Sequence, residues 1–193
     1  VEREVTEGQL TAVVAFLATL DTPILHVPSE GPLVAPPFTV ELQIGDGQEF
    51  VERWLDGSQL FLELGCAGCH TPLMRIRDTT YRTTASLSGS VTEIDLGVHG
   101  ARPRPPQRDS GEWVVPVFSD FKRHEMGAHL RGVHTEAGVP PGQYMTRRLW
   151  GLSNTRPWLH DGSAVLFDEA IAMHGGEGSE ARPQAEAFLA LPD

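Results

Sequence analysis

One short motif constrains this chain more than any other feature, because it holds both of the cysteines that the 193 residues contain. The motif is Cys66-Ala-Gly-Cys69-His70, and C-x-x-C-H is the pattern of covalent haem attachment. Two thiols three positions apart on a helical turn can each add to one vinyl group of a porphyrin. His70 can then offer a neutral imidazole to the iron from the same side. The motif therefore predicts one covalent haem c, with His70 as an iron ligand.

A C-x-x-C pair has two other common uses, a thioredoxin-like redox pair and half of a zinc site. A redox pair sits in a strand-then-helix context, whereas Leu60, Phe61 and Leu64 continue a helical pattern up to the motif. A zinc site needs about four ligands, and the chain has no second cysteine pair. Haem c is attached outside the cytoplasm in bacteria, so we expect a periplasmic, that is extracytoplasmic, protein.

The composition is that of a globular protein with an acidic surface. Apolar residues make up 40% and charged residues 21% of the chain, and its formal net charge is −11. This charge argues against nucleic acid and anionic membranes as partners, and it would suit a basic redox protein. No apolar run approaches the roughly 20 residues that span a bilayer, so we expect no membrane span. With no signal segment before Val1 and an apolar helical pattern broken off at the end, we expect chain to be missing on both sides.

The N-terminal region is predicted to be a helix followed by a proline-rich arm. Thr6 can cap a helix in which apolar residues recur at helical spacing. Residues 23–37 contain five prolines and cannot be helical, and residues 38–44 alternate as a short strand would. We therefore separate an N-terminal helix and arm at 1–47 from a haem domain at 48–193.

The haem domain is predicted to be a mainly α c-type cytochrome domain with long loops. Two short helices, the second capped by Ser58, precede the motif, and residues 163–174 and 181–191 have helical patterns. Residues 91–98 and 113–118 are predicted to form a short β-hairpin, joined by a loop rich in Arg and Pro. Loops of this length are unusual in a small domain, and a haem in the core would explain them.

The second iron ligand must come from a methionine or a histidine downstream of the motif. Thioether and imidazole are both known axial ligands of haem iron. The candidates are His124, Met126, His129, Met173 and His174. Spacing alone does not separate them.

Three longer motifs resemble a known family. They are residues 118–127 (FSDFKRHEMG), 148–163 (RLWGLSNTRPWLHDGS) and 167–177 (FDEAIAMHGGE). In sequence and in order they resemble the bacterial di-haem cytochrome c peroxidase superfamily, and most of all its branch of di-haem oxidoreductases, also called thiol oxidoreductases. The resemblance runs from about Thr11 to the end of the chain. It implies that the chain corresponds to the C-terminal half of such a protein, which carries the electron-transfer haem.

The resemblance also implies a second ligand. In these peroxidases the distal ligand lies 14 residues beyond the histidine of a His-Asp-Gly turn, and counting from His160 gives His174. The methionine of the family is a histidine here, which implies ligation by His70 and His174, with Met126 as the alternative. Imidazole in place of thioether makes a haem more reducing. His160 resembles a histidine that supports the haem environment without binding iron, although Asp-Gly pairs are also common in plain turns.

Other residues are candidates for contacts with the haem or with a second domain. Two tryptophans can pack against the macrocycle, at a junction between haem domains or in an ordinary core: Trp150 and Trp158. Because a buried carboxylate needs a charged or hydrogen-bonding partner, three arginines are candidates for pairing with the propionates: Arg123, Arg148 and Arg156. In the peroxidases, the residues matching Thr155 and Pro157 help to bind a calcium ion between domains, so the resemblance implies Ca²⁺ near them.

Three functional hypotheses follow. With both axial positions filled, the haem would carry electrons and would not bind peroxide or oxygen. The first hypothesis is therefore an electron-relay domain of a di-haem peroxidase-like oxidoreductase, which passes electrons from a redox protein partner to a catalytic haem in a preceding domain. The second is a stand-alone monohaem cytochrome c subunit that binds a larger redox complex through its proline-rich arm. The third is a self-sufficient peroxidase or oxygenase with a labile second ligand.

Overall fold

The structure is a computed structural model that describes residues 6–18, 47–82, 91–99, 107–133, 135 and 138–192. The predicted proline-rich arm at 23–37, the predicted strand at 38–44 and the Arg- and Pro-rich loop at 102–106 lie outside the described residues. The α-helices are α1 (Glu7–Ala18), α2 (Gly47–Glu63), α3 (Leu96–His99), α4 (Phe167–Ala172) and α5 (Arg182–Leu189). The β-strands are β1 (Met74–Ile76), β2 (Thr80–Arg82), β3 (Glu93–Asp95), β4 (Trp113–Val115), β5 (Arg123–Glu125) and β6 (Gln143–Met145).

The chain divides into two compact units. Among the described residues, the first unit holds 6–18, 74–82, 91–99 and 107–116, and the second holds the rest. Every candidate haem-site residue lies in the second unit. The predicted division at residue 47 stays a prediction.

The first unit contains two antiparallel strand pairs. β1 pairs with β4, with Met74 opposite Val115, and β2 pairs with β3, with Thr80 opposite Asp95. Both strands predicted near 91–98 and 113–118 therefore exist, but the prediction that they pair with each other is wrong. An alternating pattern indicates a strand without naming its partner, and here each strand pairs with an upstream segment.

The helix α1 begins at the predicted cap. The Thr6 hydroxyl accepts a hydrogen bond from the backbone N–H of Gln9 at 3.3 Å, and the Gln9 side-chain oxygen accepts one from the backbone N–H of Thr6 at 2.8 Å. This reciprocal pair is a capping box, so the predicted role of Thr6 is confirmed.

A single helix, α2, leads to the cysteine motif, and the prediction of two short helices is wrong. Ser58 is not a cap, because its hydroxyl donates to the carbonyl of Trp54 at 2.6 Å within the helix. A serine in mid-helix can satisfy its hydroxyl this way without ending the helix. Gly65, with φ of +81°, then turns the chain out of the helical direction.

The last two predicted helices are present and shorter than predicted. α4 covers only Phe167–Ala172 and continues as a 3-10 turn at Met173–Gly175. The Glu169 carboxylate accepts hydrogen bonds from the backbone N–H groups of Val165 and Leu166 at 3.2 and 3.0 Å, which explains why the helix begins so late. α5 packs against α4 and against the 3-10 turn.

The mainly α fold class predicted for this domain is wrong. Among the described residues, three two-stranded antiparallel sheets accompany the helices, and β5 and β6 form one of them. Strands of three residues are too short to show a period of two, and polar residues such as Arg123 and Glu125 hide them further. The buried apolar residues among those described are few and mostly small: Val114, Val117, Leu130, Ala164, Ala170 and Ala185.

Candidate functional site

The cysteine motif forms a tight turn directly after α2, here called the Cys turn (residues 66–70). Cys66–Gly68 is a 3-10 turn, and the backbone N–H of His70 donates to the carbonyl of Cys66 at 3.0 Å. One turn thus carries both thiols and the imidazole. Burial raises the pKa of both thiols, and the nearby carboxylates of Asp120 and Glu180 add to the rise for Cys69. Protonated thiols are unlike the activated thiolate of a thioredoxin-like pair.

His70 is held in the form that can bind a metal. Its Nδ1 lies 3.0 Å from the carbonyl oxygen of Phe118, and since a carbonyl can only accept, Nδ1 carries the proton and the Nε2 lone pair is left for a ligand. Burial is the largest cause that lowers the pKa of His70, and the interaction with His174 adds to it, against the opposing effect of the hydrogen bond to the Phe118 carbonyl. At neutral pH the side chain is therefore a neutral imidazole.

His174 lies in a second turn, here called the His174 turn (residues 173–176), at the end of α4. Its Nδ1 donates to the carbonyl of Ala170 at 2.7 Å, which again leaves the Nε2 lone pair for a ligand. Since His174 contributes to the pKa shift of His70, the two imidazoles lie within electrostatic reach of each other. That His70 and His174 bind one iron together stays a prediction.

The other ligand candidates have different surroundings. The Met173 sulfur lies 3.8 Å from the hydroxyl oxygen of Ser163. Met126 is half-buried, and its backbone forms an antiparallel bridge with Ser179. The His129 Nε2 donates to the carbonyl of Met173, so His129 supports the His174 turn from outside.

Both ring nitrogens of His124 are hydrogen-bonded to carboxylates. Its Nε2 lies 3.0 Å from Asp120 and its Nδ1 lies 2.9 Å from Glu180, and the Cys69 sulfur is 3.8 Å from the same Nδ1. The hydrogen bond to Glu180, followed by that to Asp120, raises the pKa of His124 despite partial burial. Burial alone would raise the pKa of Asp120, but hydrogen bonds from Lys122, Thr146 and His124 outweigh it and bring that pKa to about 2. An imidazolium that donates from both nitrogens cannot ligate iron.

His160 lies in the predicted His-Asp-Gly turn and stacks on a tyrosine. Its ring centroid is 4.4 Å from that of Tyr144, and its Nε2 is 3.1 Å from the Tyr144 hydroxyl. That hydroxyl also accepts from the backbone N–H of Gly132 at 3.0 Å and donates to the carbonyl of Leu130 at 2.7 Å. No motif in the sequence points to Tyr144, which ties the turn to the segment before β6. A role for His160 toward the haem stays a prediction.

The arginine and tryptophan candidates separate into three groups. Arg123 is exposed on β5. The Arg148 guanidinium lies over the Trp150 ring at 4.4 Å, and that of Arg156 lies over the Trp158 ring at 5.5 Å. The Trp158 ring meets Phe167 edge-on at 5.6 Å, which places it beside the start of α4.

The proposed calcium residues are in a loop of their own. The Thr155 hydroxyl donates to the carbonyl of Gly151 at 3.2 Å, and the bond between Arg156 and Pro157 is cis. In the part of the chain that the structure describes, no cluster of three or more His, Cys, Asp or Glu side chains could hold a metal ion. Calcium binding through backbone carbonyls stays a prediction.

The residues of this unit fit a covalent haem. Two thiols and an imidazole share one turn, and a second imidazole with the same protonation pattern lies within electrostatic reach. The Trp158 indole N–H is buried without a hydrogen-bond partner among the described residues. A small apolar core and a buried, unsatisfied donor are what a domain built around a further group would show.

Comparison with known families agrees with this chemistry. A family model described as "Di-haem oxidoreductase, putative peroxidase" matches residues 49–193, which is about three quarters of the chain. The chain therefore belongs to the di-haem oxidoreductase family, and the resemblance seen in the sequence motifs is confirmed. Searches of curated proteins and of solved structures give no match. Among the described residues, no helix has the length and apolarity to cross a membrane.

Proposed function

We propose that this chain is the electron-relay domain of a periplasmic di-haem peroxidase-like oxidoreductase. In this proposal Cys66 and Cys69 bind one haem c through thioether bonds, and His70 and His174 are the axial ligands. The single observation that carries the proposal is the matched state of the two histidines, each with Nδ1 donating to a backbone carbonyl at 3.0 and 2.7 Å.

A carbonyl bonded to Nδ1 does two things for a ligating histidine. It fixes the tautomer that presents the Nε2 lone pair, and it makes the imidazole a stronger donor to a metal. It also restrains the ring, so that the ligand changes its position little when the charge on a bound metal changes. Rigid ligands of this kind favour electron transfer over the binding of an exogenous substrate.

When bound, a haem ligated by two imidazoles would supply one-electron redox chemistry with no open iron position. The residues around it have the remaining tasks. His70 and His174 fill the axial positions, and the Asp120–His124–Glu180 cluster fixes the segment beside Cys69. The formal charge of −11 would favour a basic electron donor by electrostatic steering.

The second haem of the family would belong to another domain. The chain contains one C-x-x-C-H motif, and the family description names two haems. A relay domain needs an acceptor, so we propose a partner haem domain that carries the catalytic site. A chain that proved complete with one haem would instead support the monohaem subunit.

The test uses the chain matured with haem c and its His174→Ala variant. A pyridine haemochrome assay should give one haem per chain with a thioether-type spectrum, and near-infrared magnetic circular dichroism should show a bis-imidazole low-spin band. His174→Ala should convert the haem to high spin. His99→Ala, at an exposed histidine of α3, is the matched control and should leave the spectrum unchanged.

Two outcomes would contradict the proposal. A colourless chain, or pigment extracted by acid acetone, would exclude covalent haem. A His174→Ala variant that stays low-spin, with Met126→Ala becoming high-spin instead, would assign the second ligand to Met126.

A further inference from the structure

One buried hydrogen-bond donor beside α4 is unsatisfied among the described residues. The Trp158 indole Nε1–H is buried, and it has no hydrogen-bond partner among the described residues. Indole N–H is only a donor, and a buried donor without an acceptor destabilises a protein. An acceptor that is not part of the described chain would remove this penalty.

Trp158 makes contacts through both its backbone and its ring. Its backbone pairs with Ala164, donating to its carbonyl at 2.8 Å and accepting from its N–H at 3.4 Å, and Ala164 is 0% exposed. On the other side, the ring packs edge-on against Phe167. Neither of these contacts uses the indole N–H.

A positive charge lies over the same ring. The Arg156 guanidinium is 5.5 Å from the ring centroid, and the residue is exposed. The Oδ1 atom of Asp161 accepts from the backbone N–H and the hydroxyl of Ser163 at 3.1 and 2.7 Å. A buried N–H donor beside a guanidinium is the arrangement that binds a carboxylate.

The position of Trp158 and Arg156 relates them to His174, the proposed haem ligand. The segment from Trp158 to Ala164 runs along α4, with the Trp158 ring at Phe167 and the Ser163 hydroxyl at the sulfur of Met173. His174 follows Met173 directly. A group ligated by His174 could therefore extend beside α4 toward Trp158.

We propose that the Trp158 indole N–H and the Arg156 guanidinium bind one propionate carboxylate of the haem. This inference rests on the proposed function, because it requires a haem at His70 and His174. It assigns Trp158 a donor role in addition to packing, and it selects Arg156 from the three arginine candidates. A free carboxylate from solution would have the same chemistry, so the experiment must separate the two sources.

The test uses the haem-loaded chain in its reduced, diamagnetic form, with carbon-13 at the haem propionate carboxyls from labelled aminolevulinic acid. In the unmodified chain, we expect a nuclear magnetic resonance cross peak between the Trp158 indole proton and one labelled carboxyl carbon. Trp158→Phe keeps an aromatic ring on Phe167 but removes the donor, and it should shift that carboxyl resonance. Arg156→Gln should shift the same resonance. Trp113→Phe, in the first unit, is the matched control and should shift neither.

Each result decides one question. Full haem content with no cross peak, and with both propionate resonances unmoved in Trp158→Phe, would overturn this inference and leave the proposed function intact. Loss of haem from the unmodified chain would overturn the proposed function itself. If added acetate displaces the indole resonance, the site takes carboxylates from solution and the assignment to propionate is wrong. The cross peak is read in the unmodified chain, so the test does not depend on how well a variant folds.

Discussion

The Cys turn and the His174 turn each present a histidine with Nδ1 bonded to a carbonyl, but they reach that state by different routes. His70 donates to Phe118, which is 48 residues away in sequence, whereas His174 donates to Ala170, four residues before it in the same helical segment. The orientation of His174 is therefore encoded locally. The orientation of His70 depends on a distant loop folding back onto the motif, and that loop also donates from the backbone N–H of Asp120 to the carbonyl of Cys69 at 2.9 Å.

The largest effect should come from the covalent anchor of the Cys turn. Replacing both Cys66 and Cys69 with serine leaves no thiol to form a thioether, so we expect complete loss of covalent haem, measured by haem staining of a denaturing gel. Serine at Cys69 alone should retain haem through one thioether and shift the pyridine haemochrome band. Haem that stays bound through denaturation in the double variant would contradict the proposed attachment.

The two turns were not equally predictable from sequence. The Cys turn could be predicted from the sequence, because haem attachment needs its two cysteines and its histidine at a fixed local spacing. The prediction of His174 required a resemblance to a known family, since spacing alone does not choose among the five candidate methionines and histidines. The carbonyl partner of His70 could not be predicted, because the contact of Phe118 with the motif depends on loop closure and leaves no local pattern.

The fold itself was predicted in part for a similar reason. The Thr6 cap is a contact over three residues, and it was predicted correctly. The pairing of the strands into sheets was not predicted correctly. Strands of three residues show no measurable period, and their partners are distant in sequence. Ser58 shows the limit of a local rule: a serine can cap a helix or donate to a carbonyl within one, and only the structure shows which.

The second prediction tests the distant support of the Cys turn. Phe61 lies in α2 with its ring 6.5 Å from that of His70 and 6.2 Å from that of Phe118, the latter edge-on. Phe61→Leu keeps an apolar side chain but removes both ring contacts, so we expect a loss of about 1 kcal/mol in the free energy of unfolding. Guanidinium chloride unfolding of the haem-loaded chain measures it. Val133→Ala, at a 90% exposed site, is the control and should change stability little.

The third prediction tests the support of the His174 turn. Gly176 lies under the His129 ring, and a methyl group there would overlap that ring. Gly176→Ala should displace His129 from the Met173 carbonyl and cost about 1 kcal/mol of unfolding free energy. Gly57→Ala, with nothing near the added methyl inside α2, should instead stabilise by about 0.5–1 kcal/mol.

A double variant shows whether the mechanism is right. If His129 is the only group displaced, adding Gly176→Ala to His129→Ala should cost almost nothing more, because the overlap is already gone. Equal costs in both backgrounds would mean that the glycine matters for another reason. Imidazole binding to the haem-loaded variants gives a second measurement, since a loosened His174 turn should exchange its ligand faster.

The smallest effect should be the pH dependence that arises at His124, which lies beside Cys69 of the Cys turn and pairs with Asp120 and Glu180. Asp120 has a pKa of about 2 in the folded chain, below the usual value of about 3.9, so its contribution to stability is present above about pH 4 and is lost as the pH falls toward 2. The raised pKa of His124 works in the opposite direction: its contribution is present below its usual value near 6.5 and is lost as the pH rises through the higher folded value. The cluster should therefore stabilise the chain most between about pH 4 and 6.5. The Glu180 side chain is 56% exposed, so solvent and salt screen its part of the effect.

His124→Gln should flatten the decline in unfolding free energy on the alkaline side and leave the acid side less changed. A variant with the same pH profile as the unmodified chain would show that titration of His124 does not contribute to stability.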